Sequence, residues 1–242
     1  MRKVLRYVAL GSSILFLTSC GTARDTVKNT TRTFTTVVVD AGHGGKDSGA
    51  FRRSGPSEKS ATLDVALRLS RKLKESQFRT VLTRSNDIFI PLDERASISN
   101  SQRNAIFVSV HFNDSSRRGI RGFETYYHSP VAAGLAQRIQ QKLLTLPGAV
   151  NRGVRTANFR VLRNARYPAV LVECGFLSNR REGGEARSVG YRDQLADKIA
   201  EAIVEQRYGK GVYDAPPQTA GPPESPPPSE RPGEAPPGFF VR

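Results

Sequence analysis

Val37-Val38-Val39-Asp40-Ala41-Gly42-His43-Gly44-Gly45 runs from three β-branched residues into a glycine turn that carries a histidine. An apolar run this short, with no polar alternation, reads as a strand covered on both faces. Ala105-Ile106-Phe107-Val108-Ser109-Val110-His111 repeats the pattern, and Val170-Leu171-Val172-Glu173 ends a third such run on a carboxylate. The chain holds three histidines, and two of them stand where a buried strand runs out. In open α/β sheets ligands bind outside the carboxyl ends of the strands. The chemistry is therefore expected at those ends.

Working outward, strands and helices alternate. Ala61, Leu63, Val65, Leu67, Leu69 and Leu73 lie within a helical pattern that starts near Ser57-Glu58. A short strand is expected over Arg79–Thr83, a helix over Leu92–Arg103 after Pro91, and a strand over Gly122–Tyr127. A helix over Val131–Leu144, a strand over Phe159–Leu162 and a closing helix over Tyr191–Arg207 complete the pattern. The βαβα rhythm predicts an α/β fold: a doubly wound, mainly parallel twisted sheet flanked by helices, forming one catalytic domain over residues 34–208.

Two imidazoles placed alike at strand ends, with a carboxylate, would make a zinc site that keeps its fourth position open for water. His43 and His111 supply the imidazoles. Glu58 opens the helix after the glycine turn, close enough in sequence for one β-loop-α unit to bring it back to His43. Glu173 sits at the end of an apolar strand, where the strand itself has no use for a charge, and is the candidate base. Each residue has a plainer alternative. His43 could cap a turn, His111 could be a hydrogen-bonded core residue, and Glu58 could answer the helix macrodipole. Glu173 could pair with an arginine such as Arg84. His128, after Tyr126-Tyr127, is expected on the surface. The Gly42–Gly49 turn lacks the Gly-Lys-Ser/Thr of a phosphate loop, so its glycines are expected to make room around a metal.

Seven blocks in register carry a family resemblance. Val37–Ala50, the helix led by Glu58, Val81-Leu82-Thr83-Arg84, Val108–Asn113, Gly122–Tyr127, Asn158–Arg163 and Pro168–Asn179 together resemble the zinc-dependent N-acetylmuramoyl-L-alanine amidases of the amidase-3 type. The resemblance covers about Thr36 to Tyr208. It implies Zn2+ held by His43, Glu58 and His111, with Glu173 as the catalytic carboxylate. The implied reaction hydrolyses the amide between the muramic acid lactyl group and L-alanine of the peptidoglycan stem. Three features depart from the family pattern: Phe112-Asn113-Asp114 after the second histidine, Cys174 in place of an aliphatic residue, and a Gly- and charge-rich segment at 180–189 whose loop is expected to be rearranged. Some members carry an inhibitory helix before the helix expected at Val131. Here Tyr126-Tyr127-His128-Ser129-Pro130 leaves no room for it. Two alternatives stand beside this reading: a non-catalytic peptidoglycan-binding envelope lipoprotein of the same fold, and a related zinc amidase or peptidase cutting another stem bond.

The flanks point to the cell envelope. Residues 1–20 read as a lipoprotein signal peptide: basic Arg2, Lys3 and Arg6, a short apolar core from Val8 to Leu17, and Leu17-Thr18-Ser19-Cys20, which resembles a lipobox with Cys20 as the lipidated residue. The core is too short for a comfortable membrane span, which needs about 20 residues. Gly21 after the cysteine fits sorting to the outer membrane, with the protein facing the periplasm. With Cys20 carrying lipid, Cys174 has no partner and no intramolecular disulfide is expected. Residues 21–33 are expected to be a polar tether, and residues 209–242, which hold ten of the fifteen prolines, a disordered tail. That tail is an inert spacer or a docking peptide for a protein partner. The net charge of +15 lies almost wholly between the signal and the tail, which favours an anionic envelope. Nucleic acid is not expected as a partner, since no recognition motif is present and the export signal argues against it.

Overall fold

The computed structural model describes residues 27–50 and 56–209. The signal peptide, Cys20, residues 21–26 of the expected tether and the proline-rich tail from residue 210 lie outside the described residues. Six strands form one sheet: β1 (Thr36–Ala41), β2 (Arg79–Leu82), β3 (Ala105–Asn113), β4 (Phe123–Tyr127), β5 (Asn151–Thr156) and β6 (Ala169–Phe176), in the order β2-β1-β3-β6-β4-β5. Every neighbouring pair is parallel except β4–β6, which is antiparallel. The helices are α1 (Glu58–Glu75), α2 (Leu92–Asn100), α3 (Ala133–Leu143), α4 (Arg160–Arg163), α5 (Arg180–Glu185) and α6 (Val189–Tyr208). The expected doubly wound, mainly parallel α/β fold is the one observed.

Strand parity decides where the site can be. One face of the sheet presents Val37, Val39, Ile106, Val108, Val110, Val170 and Val172 and is covered by α1, α3 and α6. The opposite face starts apolar, with Val38, Phe107 and Leu171 beneath α4 residues Val161 and Leu162. Further along the same strands that face turns polar: Asp40 on β1, Ser109 and His111 on β3, Glu173 on β6. Side chains of one parity share a face, so the polar set gathers on one surface at the carboxyl ends of the parallel strands.

Three expectations are corrected, and one strand is added. Phe159–Leu162 is not a strand. Its place is taken by the single helical turn of α4, which lays Val161 and Leu162 together on Val38, Phe107 and Leu171. A short apolar run does not distinguish helix from strand by itself. Residues 180–189, expected as a rearranged loop, are mostly the helix α5, and Val189 opens α6. Asn179 caps α5 by accepting from the Arg181 and Glu182 amides, and Glu182 reaches back to accept from the Gly122 and Phe176 amides at 2.8 and 2.7 Å. The strand β5 was not expected, since its only large apolar residue is Val154. Finally, residues 28–33 are docked rather than free. Lys28 donates its amide to Arg166 O, Thr30 Oγ1 donates to Ala105 O, and Gln206 donates to Thr31 O.

Candidate active site

His43 leaves β1 with φ +60°, in the left-handed region that a non-glycine residue rarely occupies. Two contacts hold it there. Arg95 on α2 donates to the His43 carbonyl at 2.7 Å, and Asp47 takes the Nδ1 edge of the ring at 2.9 Å. That leaves Nε2 facing inward, 3.0 Å from Glu58 Oε1. Glu58 is the first residue of α1, and its backbone amide donates to Ala50 O. Its Oε1 also meets His111 Nδ1 at 3.0 Å and accepts from the Phe112 amide at 3.0 Å, while Oε2 accepts from the Ala50 amide at 2.8 Å. The structure thus brings His43, Glu58 and His111 together, all three buried, with their ligand atoms within 4.8 Å of one another.

Glycine is required at two points of this packing. A β-carbon at Gly42 would fall into the His111 ring, and one at Gly49, where φ is +61°, would collide with the Glu58 carboxylate and the His43 ring. The expectation that the turn's glycines make room around the cluster holds for both.

Electrostatics follow from the contacts. Burial works against a charged His43, but its hydrogen bonds to Asp47 and Glu58 outweigh that and raise it to about 10. Burial likewise works against an ionised Glu58, and the His111 and His43 hydrogen bonds outweigh it, holding the carboxyl well below its usual range. Glu173 behaves in the opposite way. It is the register partner of His111, 5% exposed, and its pKa is pushed well up by burial and then by the negative charges of Glu58 and Glu124. Its Oε2 has no hydrogen-bond partner among the described residues. The pairing with Arg84 weighed above does not occur. Arg84 instead donates to the Ala41, Gly42 and Lys59 carbonyls.

The donor set fits a metal. Two imidazole nitrogens and a carboxylate oxygen are the common ligands of a catalytic zinc, and a tetrahedral ion with ligands near 2.0–2.1 Å spaces them about 3.3 Å apart. The 3.0 Å contacts of Glu58 Oε1 with both rings are already close to that spacing. A buried carboxylate oxygen left unpaired beside such a cluster marks a place where a polar ligand belongs. Asp47 would orient the His43 ring from behind.

Several supporting residues were not singled out in the sequence. Asp40 lies under the cluster, fully buried, bound by Arg95 at 2.8 Å, Thr83 at 2.6 Å and Ser109 at 2.6 Å. Burial opposes its charge, but Arg95 and the two hydroxyls hold its pKa low. The only signal available was parity, since Asp40 and Ser109 share the face of His111. Glu124, the partner of Glu173 across β4 and β6, was missed in the same way. His128 is on the surface, as expected, with its ring nitrogen 3.1 Å from Ala157 O. Cys174 is free and buried on the other face of β6.

Comparison with known proteins points one way. Residues 37–205 match the family model Amidase_3, described as N-acetylmuramoyl-L-alanine amidase. The chain is 38% identical over 173 residues to the N-acetylmuramoyl-L-alanine amidase LytC of Bacillus subtilis, covering 70% of this chain and 35% of that protein. It is 35% identical over 207 residues to the uncharacterized protein YqiI of the same organism, covering 84% of this chain and 97% of YqiI. The chain therefore spans about a third of LytC but nearly all of YqiI. Among solved structures, the N-acetylmuramoyl-L-alanine amidase AmiC2 of Nostoc punctiforme superposes with a TM-score of 0.68 at 37% identity, covering 70% of this chain and 95% of that one.

Proposed function

From the premise that this chain belongs to the N-acetylmuramoyl-L-alanine amidase family Amidase_3, we propose that it hydrolyses the amide joining the lactyl group of N-acetylmuramic acid to L-alanine of the peptidoglycan stem. The observation that carries this is the meeting of His43 Nε2 and His111 Nδ1 on Glu58 Oε1, at 3.0 Å each, beside the unpaired carboxylate of Glu173. His43, Glu58 and His111 would hold Zn2+, which lowers the pKa of water toward neutrality and polarises the scissile carbonyl. The raised proton affinity of Glu173 suits it to take the proton of the attacking water and pass it to the leaving amine nitrogen. With the metal bound, Asp47 would hold the remaining His43 proton on Nδ1 and leave the Nε2 lone pair to the cluster. Arg95 and Arg84 fix the carbonyls of residues 41–43, and with them the turn that carries the ring.

The reading extends to location. Cys20 would be lipidated, holding the domain on the outer membrane facing the periplasm, with the proline-rich tail as spacer or docking arm. Only His128 and Ser129 separate β4 from the helical turn at Pro130, so no inhibitory helix enters there and the cleft would work without an activator.

The test is the mass of the fragments released from purified sacculi by the zinc-loaded protein, with and without chelator. The expected products are stem peptides with a free L-alanine amine and glycan retaining the lactyl carboxyl, both abolished by chelation. Release at another stem bond would overturn the assigned reaction. Binding without release would favour the non-catalytic wall-binding alternative.

A further inference from the structure

The row of residues that carries the site continues past Glu173. His111 on β3, Glu173 on β6, Glu124 on β4 and Gly153 on β5 are each the register partner of the next. Cross-strand partners present their side chains on one face of the sheet. Glu173 and Glu124 are therefore two buried carboxylates side by side, an arrangement that repels unless cations answer it. For Glu124 they are present. Arg152 Nε and Arg155 Nε stand 3.2 and 3.8 Å from its Oε1, and Asn113 Nδ2 donates to its Oε2 at 3.0 Å.

A β-bulge builds this arrangement. Phe123 pairs with Asn151 and Glu124 with Gly153, so Arg152 is the extra residue, and Gly153 takes φ +96°. Bulges beside active sites re-aim side chains in this way. Here the bulge turns Arg152 onto Glu124. Arg155, two residues past Gly153, is the register partner of Tyr126 and so shares the face of Glu124. Glu124 neutralises one of the two guanidinium groups. The second positive charge is left over, and Arg155, whose side chain is 50% exposed, is the group that can offer it to a ligand.

The chemistry says which ligand arrives there. Glu173 returns its proton to the leaving amine, so the amine side of the broken bond lies on the Glu173 side of the cluster. A peptide extended from that amine in the same direction would continue along the row, over β4 and β5. In peptidoglycan the residue after the alanine is glutamate, whose α-carboxyl is either free or amidated. We propose that Arg155, oriented by the Glu124–Arg152 pair, is a subsite for the free carboxylate of that second stem residue and makes the enzyme discriminate against the amidated stem. The proposal rests on the amidase reading above. A guanidinium fork matches a carboxylate in charge and geometry, and a primary amide answers neither.

The full-length zinc-loaded protein would be assayed on N-acetylmuramoyl-L-alanyl-D-glutamate and on the same compound with D-isoglutamine. A charge-assisted hydrogen bond is worth about 10- to 100-fold, so wild type should favour the acid by at least about tenfold in kcat/KM. Arg155→Ala should bring that ratio close to one, and Arg155→Lys should restore part of it. Equal use of both compounds by wild type, or an Arg155→Ala variant that keeps the wild-type ratio, would overturn the subsite. A general structural defect would lower both rates by one factor and leave the ratio in place. Calorimetry with the product dipeptides separates this proposal from the reading beneath it. If wild type cleaves neither these compounds nor sacculi, the amidase reading fails. An Arg155-dependent preference for L-alanyl-D-glutamate over its amide would then still uphold the subsite, and no such preference would end it.

Discussion

Arg95→Met tests whether the site is held from below by a buried ion pair. Arg95 is 2% exposed and Asp40 0%. The guanidinium donates to Asp40 Oδ1 at 2.8 Å and to the carbonyls of Ala41, His43 and Ile90 at 2.6, 2.7 and 2.9 Å. Methionine, which fills the stem of the arginine but lacks its guanidinium, removes the charge and strands the carboxylate. Breaking a buried pair from one side costs about 3–5 kcal/mol, a large part of the 5–15 kcal/mol typical of a whole domain. Most of that cost is the uncompensated charge, so adding Asp40→Asn to the variant should recover about 2 kcal/mol. The pH dependence has a definite sign. In wild type the Asp40 carboxyl is held below its usual range, so its contribution is present above the unfolded pKa and is lost as pH falls through the folded one. Without Arg95, burial raises the Asp40 pKa instead, and the variant is penalised only above pH 4 or so. The gap between the two proteins should therefore narrow as pH drops toward about 4. Urea unfolding of the metal-free proteins at neutral and acid pH measures it. A loss under about 1 kcal/mol, or one unchanged with pH, would refute the assignment of the pair as the support of the His43 turn.

Three further outcomes are expected. Glu173→Gln should keep its zinc by elemental analysis while kcat falls about 10²- to 10⁴-fold, whereas His43→Ala and His111→Ala should lose metal and activity together; loss of zinc from the Glu173 variant would contradict the division of roles. Because His43 is raised to about 10 in the metal-free protein, zinc must displace its proton at neutral pH. Calorimetry in buffers of different ionisation enthalpy should detect that release, and zinc affinity should climb as pH rises toward 10; uptake without proton release would refute it. Cys20→Ser should abolish labelling by a fatty-acid probe and release the protein from the membrane fraction, or leave it held by an uncleaved signal; undiminished label would sink the lipid anchor.

The sheet and the metal cluster could be read from the chain because both leave simple marks. Strands buried on both faces lose their polar alternation, so a histidine or glutamate at the end of such a run stands out. His43, His111 and Glu173 were found on that ground. The supporting residues carry no such mark. An arginine in a helix normally reads as a solvated face, yet the buried positions of α2 are Arg95, Ala96 and Ser99, with no apolar stripe at all. Glu124 stands in Phe123-Glu124-Thr125-Tyr126-Tyr127, where Glu124 and Tyr126 share one parity, but its neighbour Glu173 comes from a strand 49 positions later and antiparallel. That pairing is set by topology, which local pattern does not encode. β5 escaped for a related reason: an edge strand paired on one side only can carry charge, and Asn151–Thr156 holds Arg152 and Arg155.

The two ends of the domain carry different duties, and the strand directions separate them. The metal cluster lies at the carboxyl ends of β1 and β3. The docked segment 28–34 lies at their amino ends, where Thr35 donates its amide to Asn104 O and Thr30 its hydroxyl to Ala105 O. The last described residue is there too, because Arg32 donates to Gly209 O. From Ala105 to His111 the strand rises about 20 Å. On the proposed anchor, the chain from Cys20 to Lys28 can reach at most about 28 Å, since the following residues are bound to the domain and cannot pay out as tether. A domain held by that pole turns the opposite pole outward. If Cys20 carries the lipid as proposed, the cleft would face away from that membrane, toward the wall. On that proposal, docking residues 28–33 would place the anchor at the pole opposite the active site, where a free tether of the same length would leave the orientation to chance.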